Sequence, residues 1–444
     1  MKLKRLLSKL FLILLPLGGG WVAASSCNDI VTYGDDAYVA PENQPNAGAP
    51  EIFGVYEVRD VIYDTPLESI DPGQRIRIYG KNLNHVQRLT MGGFEADVTQ
   101  AATALDYCIA YVPDQFSIPQ NGGIEYTTDM GTTTYAITVR AHELELSGLA
   151  NEFAPAGTTA AVAGRWFAAY GFGTTGHATV TLTTPAVPLT GSAPVGLSDG
   201  EGTTLEVVSV TNSGMSIAIP ASAPDNSIIT FRWLDVAGEQ QEYSCHYRPT
   251  AYRCFETLNL SAGDSFNDQE GYDLAVSVEP DGIDGIPALG SPILRLSGHA
   301  KQWGWYSANI DSELKTPYAI AGQNDYDPTL TRGYTFEFEV MTLAPMPSSA
   351  DADVNGLTFS MEWGDRVEWS PAAKNEEFST DGQWQTVRLP LSEVVQRGLR
   401  PISWGGTTHF GIILSPIVDN AEHNLRLSNF RIVKTLNEND IVQP

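Results

Sequence analysis

Six of the nine tryptophans in this 444-residue chain fall between Trp303 and Trp404. Indole rings are costly to leave in water, so that density means either one heavily aromatic core or an exposed surface on which a flat ligand stacks. Parity along the chain helps to separate the two. Trp303 and Trp305 flank Gly304, so in extended chain their rings share one face while Tyr306 points to the other. The stretch from Gly298 to Ser307 is polar and glycine-punctuated, which favours an exposed aromatic platform over a loop folded back on the core. Trp363 shares parity with Leu357, Phe359 and Met361, as a core residue would, yet Gly364 and Asp365 follow at once and a strand end facing a cleft has the same pattern. Trp369, after Arg366-Val367-Glu368, reads as exposed, and Trp404, before Gly405-Gly406, as a loop residue able to join a site. Trp384 opens a strand-like run and reads as structural. The candidate binding residues are therefore Trp303, Trp305, Tyr306, Trp363, Trp369 and Trp404, with Lys301, Gln302, Asn309 and Asp311 as polar neighbours.

Nothing comparable exists for bond-making chemistry. There is no CxxC, HExxH or His-rich cluster, and seven scattered histidines give no metal-ligand spacing, so no catalytic residue, metal or cofactor is expected. Glu362, Asp365 and Glu368 keep a glycoside hydrolase as a rival, since two carboxylates about 5 Å or about 6.5–9.5 Å apart can hydrolyse a glycosidic bond. Flanking a turn, they read as solvated, and the expectation is that the chain is not an enzyme. Cys245 and Cys254 are close enough in sequence to bridge, but with Cys108 they read more simply as buried free thiols.

The start of the chain speaks of place. Lys2, Lys4, Arg5 and Lys9 precede the apolar run Leu10–Leu17, and Ala24-Ser25-Ser26 put small side chains before Cys27. That arrangement resembles a bacterial lipoprotein signal with Cys27 as the lipidated residue; the other reading is a cleaved signal with an incidental cysteine. Cleavage would remove four basic residues and no acidic one from a chain whose formal net charge is already −27. So acidic a surface repels nucleic acid and anionic headgroups. No later stretch has the roughly 20 apolar residues needed to span a bilayer, so anchoring and not spanning is expected.

The elements that must hold these residues are strands. Short alternating runs punctuated by Gly, Pro, Asn and Asp recur with almost no helical periodicity, only Leu391–Arg397 offering a helical turn or two, so the fold class is all-β. Ile76 and Ile78 alternate with Arg75 and Arg77, and Phe336, Phe338 and Val340 with Thr335, Glu337 and Glu339. The segment Pro72-Gly73 to Gly80-Lys81-Asn82-Leu83, followed by Met91-Gly92-Gly93, has a counterpart in Pro155-Ala156-Gly157 to Gly164-Arg165-Trp166-Phe167. Gly73, Gly80 and Asn82 read as turn residues with positive φ. The expected organisation is a signal peptide at 1–26, lipidated Cys27 with a flexible linker to 50, tandem immunoglobulin-like sandwiches at 51–142 and 143–250, and a larger sandwich at 251–444. The last unit is long enough to bury a core of its own, so it is expected to fold and bind alone. The two sandwiches before it read as spacers.

The first repeat resembles the opening of an IPT/TIG domain. Together with the leader, Trp303-Gly304-Trp305-Tyr306, Asp381-Gly382-Gln383-Trp384 and the closing Leu427–Val433, the chain resembles the B-type surface glycan-binding proteins of Bacteroidota polysaccharide-utilisation loci. The resemblance implies a terminal xyloglucan-binding-like domain that holds an extended β-glycan on aromatic side chains. It also implies an outer-membrane lipoprotein facing the exterior, beside a TonB-dependent transporter and its SusD-like lid. Stacking fits the chemistry, because pyranose rings present flat C–H faces and about 100 Å² of apolar cover is worth roughly 2.5 kcal/mol before ordering costs. The alternative is a surface adhesin or structural protein that binds another protein.

Overall fold

The computed structural model describes residues 44–58, 65–116, 118, 122–174, 178–184, 202–254, 257–260, 271–283, 285–304, 306–313, 334–347, 356–361, 365–371, 377–390 and 407–437. Among them the regular structure is strand, with two single 3-10 turns at Val98–Gln100 and Thr250–Tyr252. Cys27 and the turn expected at 391–397 lie outside the described residues.

The alternation at 75–78 works as read. Ile76 and Ile78 are buried while Arg75 and Arg77 face outward, in the strand Arg75–Lys81. That strand pairs with Glu51–Glu57 on one side and Tyr107–Tyr111 on the other, and Ala102–Thr103 completes the sheet. A second sheet, Phe94–Glu95, Val86–Met91, Ile124–Thr128 and Gly131–Tyr135, completes the first sandwich. The next sandwich repeats the plan. Glu145–Leu149, Thr159–Arg165, Met215–Ala218 and Val207–Val210 form one sheet, and Thr203–Thr204, Thr179–Thr183, Ser227–Leu234 and Gln240–Tyr247 the other.

The repeat seen in the sequence is a repeat of backbone geometry. Gly73 and Gly157 have φ of 73° and 80°, and Asn82 and Trp166 have φ of 59° and 74°. Gly80 differs from its sequence reading, since it lies within a strand and not in a positive-φ turn. Its role is close approach: a Cβ there would sit 2.0 Å from the Glu51 carbonyl oxygen, and one at Gly164 would sit 2.1 Å from that of Glu145. Both glycines oppose a bulge in the neighbouring strand, at Ile52/Gly54 and at Leu146/Gly148.

Residues 44–50, read as part of a spacer, instead lie against the first sandwich. Asn46 Nδ2 donates to the Asn84 carbonyl at 2.7 Å, the Ala47 N–H to Asn82 Oδ1 at 3.2 Å, and Asn82 Nδ2 to the Ala49 carbonyl at 3.1 Å. Asparagine amides thus supply partners that an irregular segment lacks in itself.

The C-terminal sandwich has a five-stranded sheet in the order Ala275–Glu279, Ile293–Ala300, Ala421–Lys434, Tyr334–Thr342 and Gln385–Pro390. Its second sheet runs Tyr306–Glu313, Thr407–Ser415, Gly356–Met361 and Asp365–Trp369. Between them lie Leu294, Leu296, Phe336, Phe338, Val340, Ile412, Leu414, Leu425 and Leu427, in a core separate from the one shared by the two preceding sandwiches. The two joints between sandwiches differ in chemistry. The first is aromatic, with Phe116 centred 5.7 Å from Trp166 and 6.1 Å from Tyr170 and His142 stacked on Trp166 at 4.3 Å. The second is ionic.

That second joint revises what strand alternation suggested. Glu337 and Glu339 do face away from the aromatic core, but they meet the preceding sandwich and not solvent. Arg431, fully buried, donates through Nη2 to Glu152 at 2.9 Å, through Nε to Glu337 at 3.0 Å and through Nη1 to Glu339 at 2.8 Å. Arg388 Nη2 reaches the other Glu152 oxygen at 2.9 Å, and the Arg431 guanidinium lies 5.1 Å from the Phe153 ring centre. Main-chain bonds add to this, from Thr386 N–H to the Ala150 carbonyl at 2.7 Å and from Glu152 N–H to Thr386 Oγ1 at 2.9 Å. A fragment beginning at 251 would leave Arg431 without Glu152 and Phe153, so the C-terminal unit keeps a core of its own but shares this joint with the sandwich before it.

Candidate functional site

After the strand Ile293–Ala300 the chain must reverse into Tyr306–Glu313, and it does so in a tight turn closed by the Gly304 N–H on the Lys301 carbonyl at 2.9 Å. Neighbouring chain fixes the turn. The Trp303 N–H donates to the Pro416 carbonyl at 2.8 Å, Gln302 Nε2 to the Ile417 carbonyl at 2.8 Å, and the Gln302 N–H to Asp419 Oδ1 at 3.2 Å. Tyr272 donates its hydroxyl to the same Asp419 oxygen at 2.8 Å, and this bond holds the carboxyl below the usual carboxylate range. Trp303 sits in the left-handed region at φ 58° and keeps 72% of its surface in water.

Both facts are unusual for a large ring. A bulky side chain at positive φ carries backbone strain on the order of 1 kcal/mol, and a solvated indole returns nothing by burial. Such a residue contributes to folding less than it costs, which points to a ligand as what its ring serves. Beside it stand Lys301 and Gln302 from the turn, Asp419 and Tyr272, and the pair Asp273 and His299, whose Nδ1 lies 3.0 Å from Asp273 Oδ1. The backbone N–H and ring of His299 keep the Asp273 carboxyl low as well. An exposed indole on a turn that also carries the Lys301 ammonium and is pinned to the Asp419 carboxylate suits a polyhydroxylated ligand with flat C–H faces.

The other aromatic candidates divide. Tyr306 belongs to the core at 1% exposure, with its hydroxyl accepting from the Lys301 N–H at 2.7 Å, so it supports the turn from beneath and offers no face to a ligand. A Cβ at Gly304 would come within 2.6 Å of that ring, which is why glycine separates the two tryptophans. Trp369 is also core, 7% exposed, with edge contacts to Phe338 at 5.3 Å and Phe378 at 5.5 Å. Its expected exposure fails because the strand Asp365–Trp369 pairs Trp369 with Leu357, a residue of the inward face. Trp305, Trp363 and Trp404 lie outside the described residues. Trp303 itself lies in a turn at positive φ, so the extended-chain parity that paired it with Trp305 does not apply at that residue.

Residues 266–434 match the family model of the surface glycan-binding protein B xyloglucan binding domain. The described part of that domain contains the turn at Trp303, the aromatic core and Arg431. Solved structures similar to the chain include the surface glycan-binding protein PbSGBP-B from Prevotella bryantii, 14% identical, covering 88% of this chain and 99% of that one at a TM-score of 0.38. A second is SGBP-B from a complex xyloglucan utilization locus in Bacteroides uniformis, 15% identical over 87% of this chain and 99% of that one, TM-score 0.41. A third is the Bacteroides ovatus mixed-linkage glucan utilization locus SGBP-B in complex with a mixed-linkage heptasaccharide, 13% identical over 80% and 74%, TM-score 0.23. Likenesses of this order speak to neither ligand nor domain arrangement. No curated protein matches the chain.

Within residues 266–434, Glu337 and Glu339 are both engaged by Arg431 and buried beneath another sandwich. Among the described residues no group of three or more His, Cys, Asp or Glu is placed to hold a metal ion. Cys108, Cys245 and Cys254 are free and buried, and burial pushes the thiols of Cys245 and Cys254 up to about 12. Thiols so far from ionising are inert as nucleophiles. The sequence reading missed Tyr272, His299, Asp273 and Asp419. Only the fold brings them beside Trp303, and no local motif marks them.

Proposed function

We propose that this chain is a non-catalytic surface glycan-binding protein whose C-terminal sandwich holds an extended β-glycan, xyloglucan or a related β-glucan, with Trp303 as a stacking ring. The observation that carries the reading is the family match over residues 266–434 with a strained, solvated tryptophan inside it. The burial of the Glu337 and Glu339 carboxyl groups against Arg431 beneath another sandwich supports a binding and not a hydrolytic role. Lipidated Cys27 anchors the chain in an outer membrane facing the exterior, and the protein works beside a TonB-dependent transporter and SusD-like partner that import what it captures. Calorimetric titration with xyloglucan and mixed-linkage glucan oligosaccharides, paired with a reducing-end assay on the same samples, tests the proposal. Saturable binding without new reducing ends is expected. Release of reducing ends, or no binding to either glycan, would overturn it.

A further inference from the structure

The first sandwich, read from sequence as a spacer, carries an aromatic and cationic face of its own. On the outward side of its sheet, the bulge between Ile52 and Gly54 turns Phe53 toward water, where it stays 54% exposed with its ring centre 5.8 Å from that of Tyr79. Tyr56 approaches Tyr79 from the same strand at 6.5 Å and lies across Gly54, whose missing Cβ would be 2.9 Å from the ring. Across the next pairing, Tyr79 stands opposite Tyr107, and Arg75 opposite Tyr111. Guanidiniums cap the rings: Arg77 lies 5.5 Å from the Tyr107 centre and Arg75 5.8 Å from that of Tyr111. Tyr111 is 50% exposed, and Arg75 is exposed with no carboxylate partner among the described residues.

Strand alternation puts no Asp or Glu on this face between Arg75 and Tyr79 or between Tyr107 and Tyr111. In a chain of net charge −27, a patch with two arginines and no acid within those stretches is a local inversion of sign. Arginine presents a planar fork of donors that matches a carboxylate, and exposed phenol rings match the flat C–H face of a sugar. Size decides between a protein and a smaller ligand. At about 3.3 Å per residue and ~4.8 Å between strands, the face spans roughly 13 by 10 Å, several-fold short of the ~800 Å² per partner of a stable protein interface.

We infer that this face is a second glycan site, selective for carboxylate-bearing sugars, in which Arg75 takes a uronate group and Tyr111 stacks a sugar ring. It does not depend on the reading of the C-terminal sandwich. Titration of the full chain with trigalacturonate, with its methyl ester as control, tests it in wild type and in Arg75→Ala, Tyr111→Ala and Trp303→Ala. Wild type and Trp303→Ala should bind the acid alike, whereas Arg75→Ala and Tyr111→Ala should each weaken it by about tenfold, the loss of one charge-assisted or stacking contact. Both variants should keep the wild-type melting midpoint and the wild-type affinity for β-glucan oligosaccharides. Equal binding of the methyl ester, absence of saturable trigalacturonate binding, or a loss confined to Trp303→Ala would each overturn the assignment. So would self-association abolished by Tyr111→Ala, which would give the face to a second copy. Loss of β-glucan binding alone leaves this site standing and removes the C-terminal one.

Discussion

Trp303 holds its ring in water from a backbone conformation that indole side chains rarely adopt, and the two properties set its expected energetics apart from those of Trp369. Trp303→Ala should weaken β-glucan binding by about 1–3 kcal/mol, the loss of one stacked ring, with stability changed by less than about 1 kcal/mol. Trp369→Ala should do the reverse, lowering stability by roughly 3–5 kcal/mol through the cavity left between Phe338 and Phe378. Calorimetric titration and melting scans on both variants check the contrast, and equal stability losses would put Trp303 in the core. Trp303 was legible as exposed from its polar, glycine-flanked setting. Its supposed companionship with Trp305 on a strand face was not, because parity assumes extended backbone and φ 58° ends it. For Trp369 the charges of Arg366 and Glu368 outweighed the parity that puts residues 367 and 369 on the opposite side; pairing with Leu357 settles the matter.

At the scale of elements, alternation identifies the face a strand turns to its core but not what covers the other. Phe336, Phe338 and Val340 lie in the core as their spacing requires, yet Glu337 and Glu339 meet Glu152 and Arg431 from distant segments. No local pattern announces such a cover, since an outward glutamate looks the same whether water or another sandwich lies beyond it. Gly80 is legible as special and misread in cause. The tight spot is a neighbouring carbonyl, so Gly80→Ala should destabilise the protein by on the order of 1–3 kcal/mol through forced separation of two paired strands. A melting midpoint unchanged from wild type would show that the bulge at Ile52/Gly54 relaxes freely.

For the whole molecule, the joint before the C-terminal sandwich sets a pH dependence. Three carboxylates, Glu152, Glu337 and Glu339, face two guanidiniums, Arg388 and Arg431, with neutral His246 beside them held low by burial. Burial, and then the charge of Glu152, push Glu337 up to about 8, whereas Arg388 and Arg431 overcome the burial of Glu152 and hold it down to about 2. A carboxyl whose pKa rises on folding favours the fold when protonated, so its contribution is complete below its unfolded value of 4.5 and is lost as pH climbs to about 8. Glu152 acts oppositely, stabilising above 4.5 and ceasing to as pH falls to about 2. Glu337 therefore contributes a decline in the melting midpoint between about pH 5 and 8, opposed below about 6.5 by His246 and His423, both held low by burial, and Glu337→Gln should remove the declining component. An identical slope in the variant would remove Glu337 as its source.

The two joints also answer temperature in the same sense, for different physical reasons. Contacts such as Phe116 with Trp166 and Tyr170 draw on the hydrophobic effect, which fades on cooling. The clasp around Arg431 carries a desolvation cost that shrinks on warming. Chilling thus weakens both links, the one between the first two sandwiches through a fading hydrophobic gain and the one to the C-terminal sandwich through a growing desolvation cost, and warming strengthens both. The three sandwiches are therefore held to one another least firmly in the cold, at both joints together.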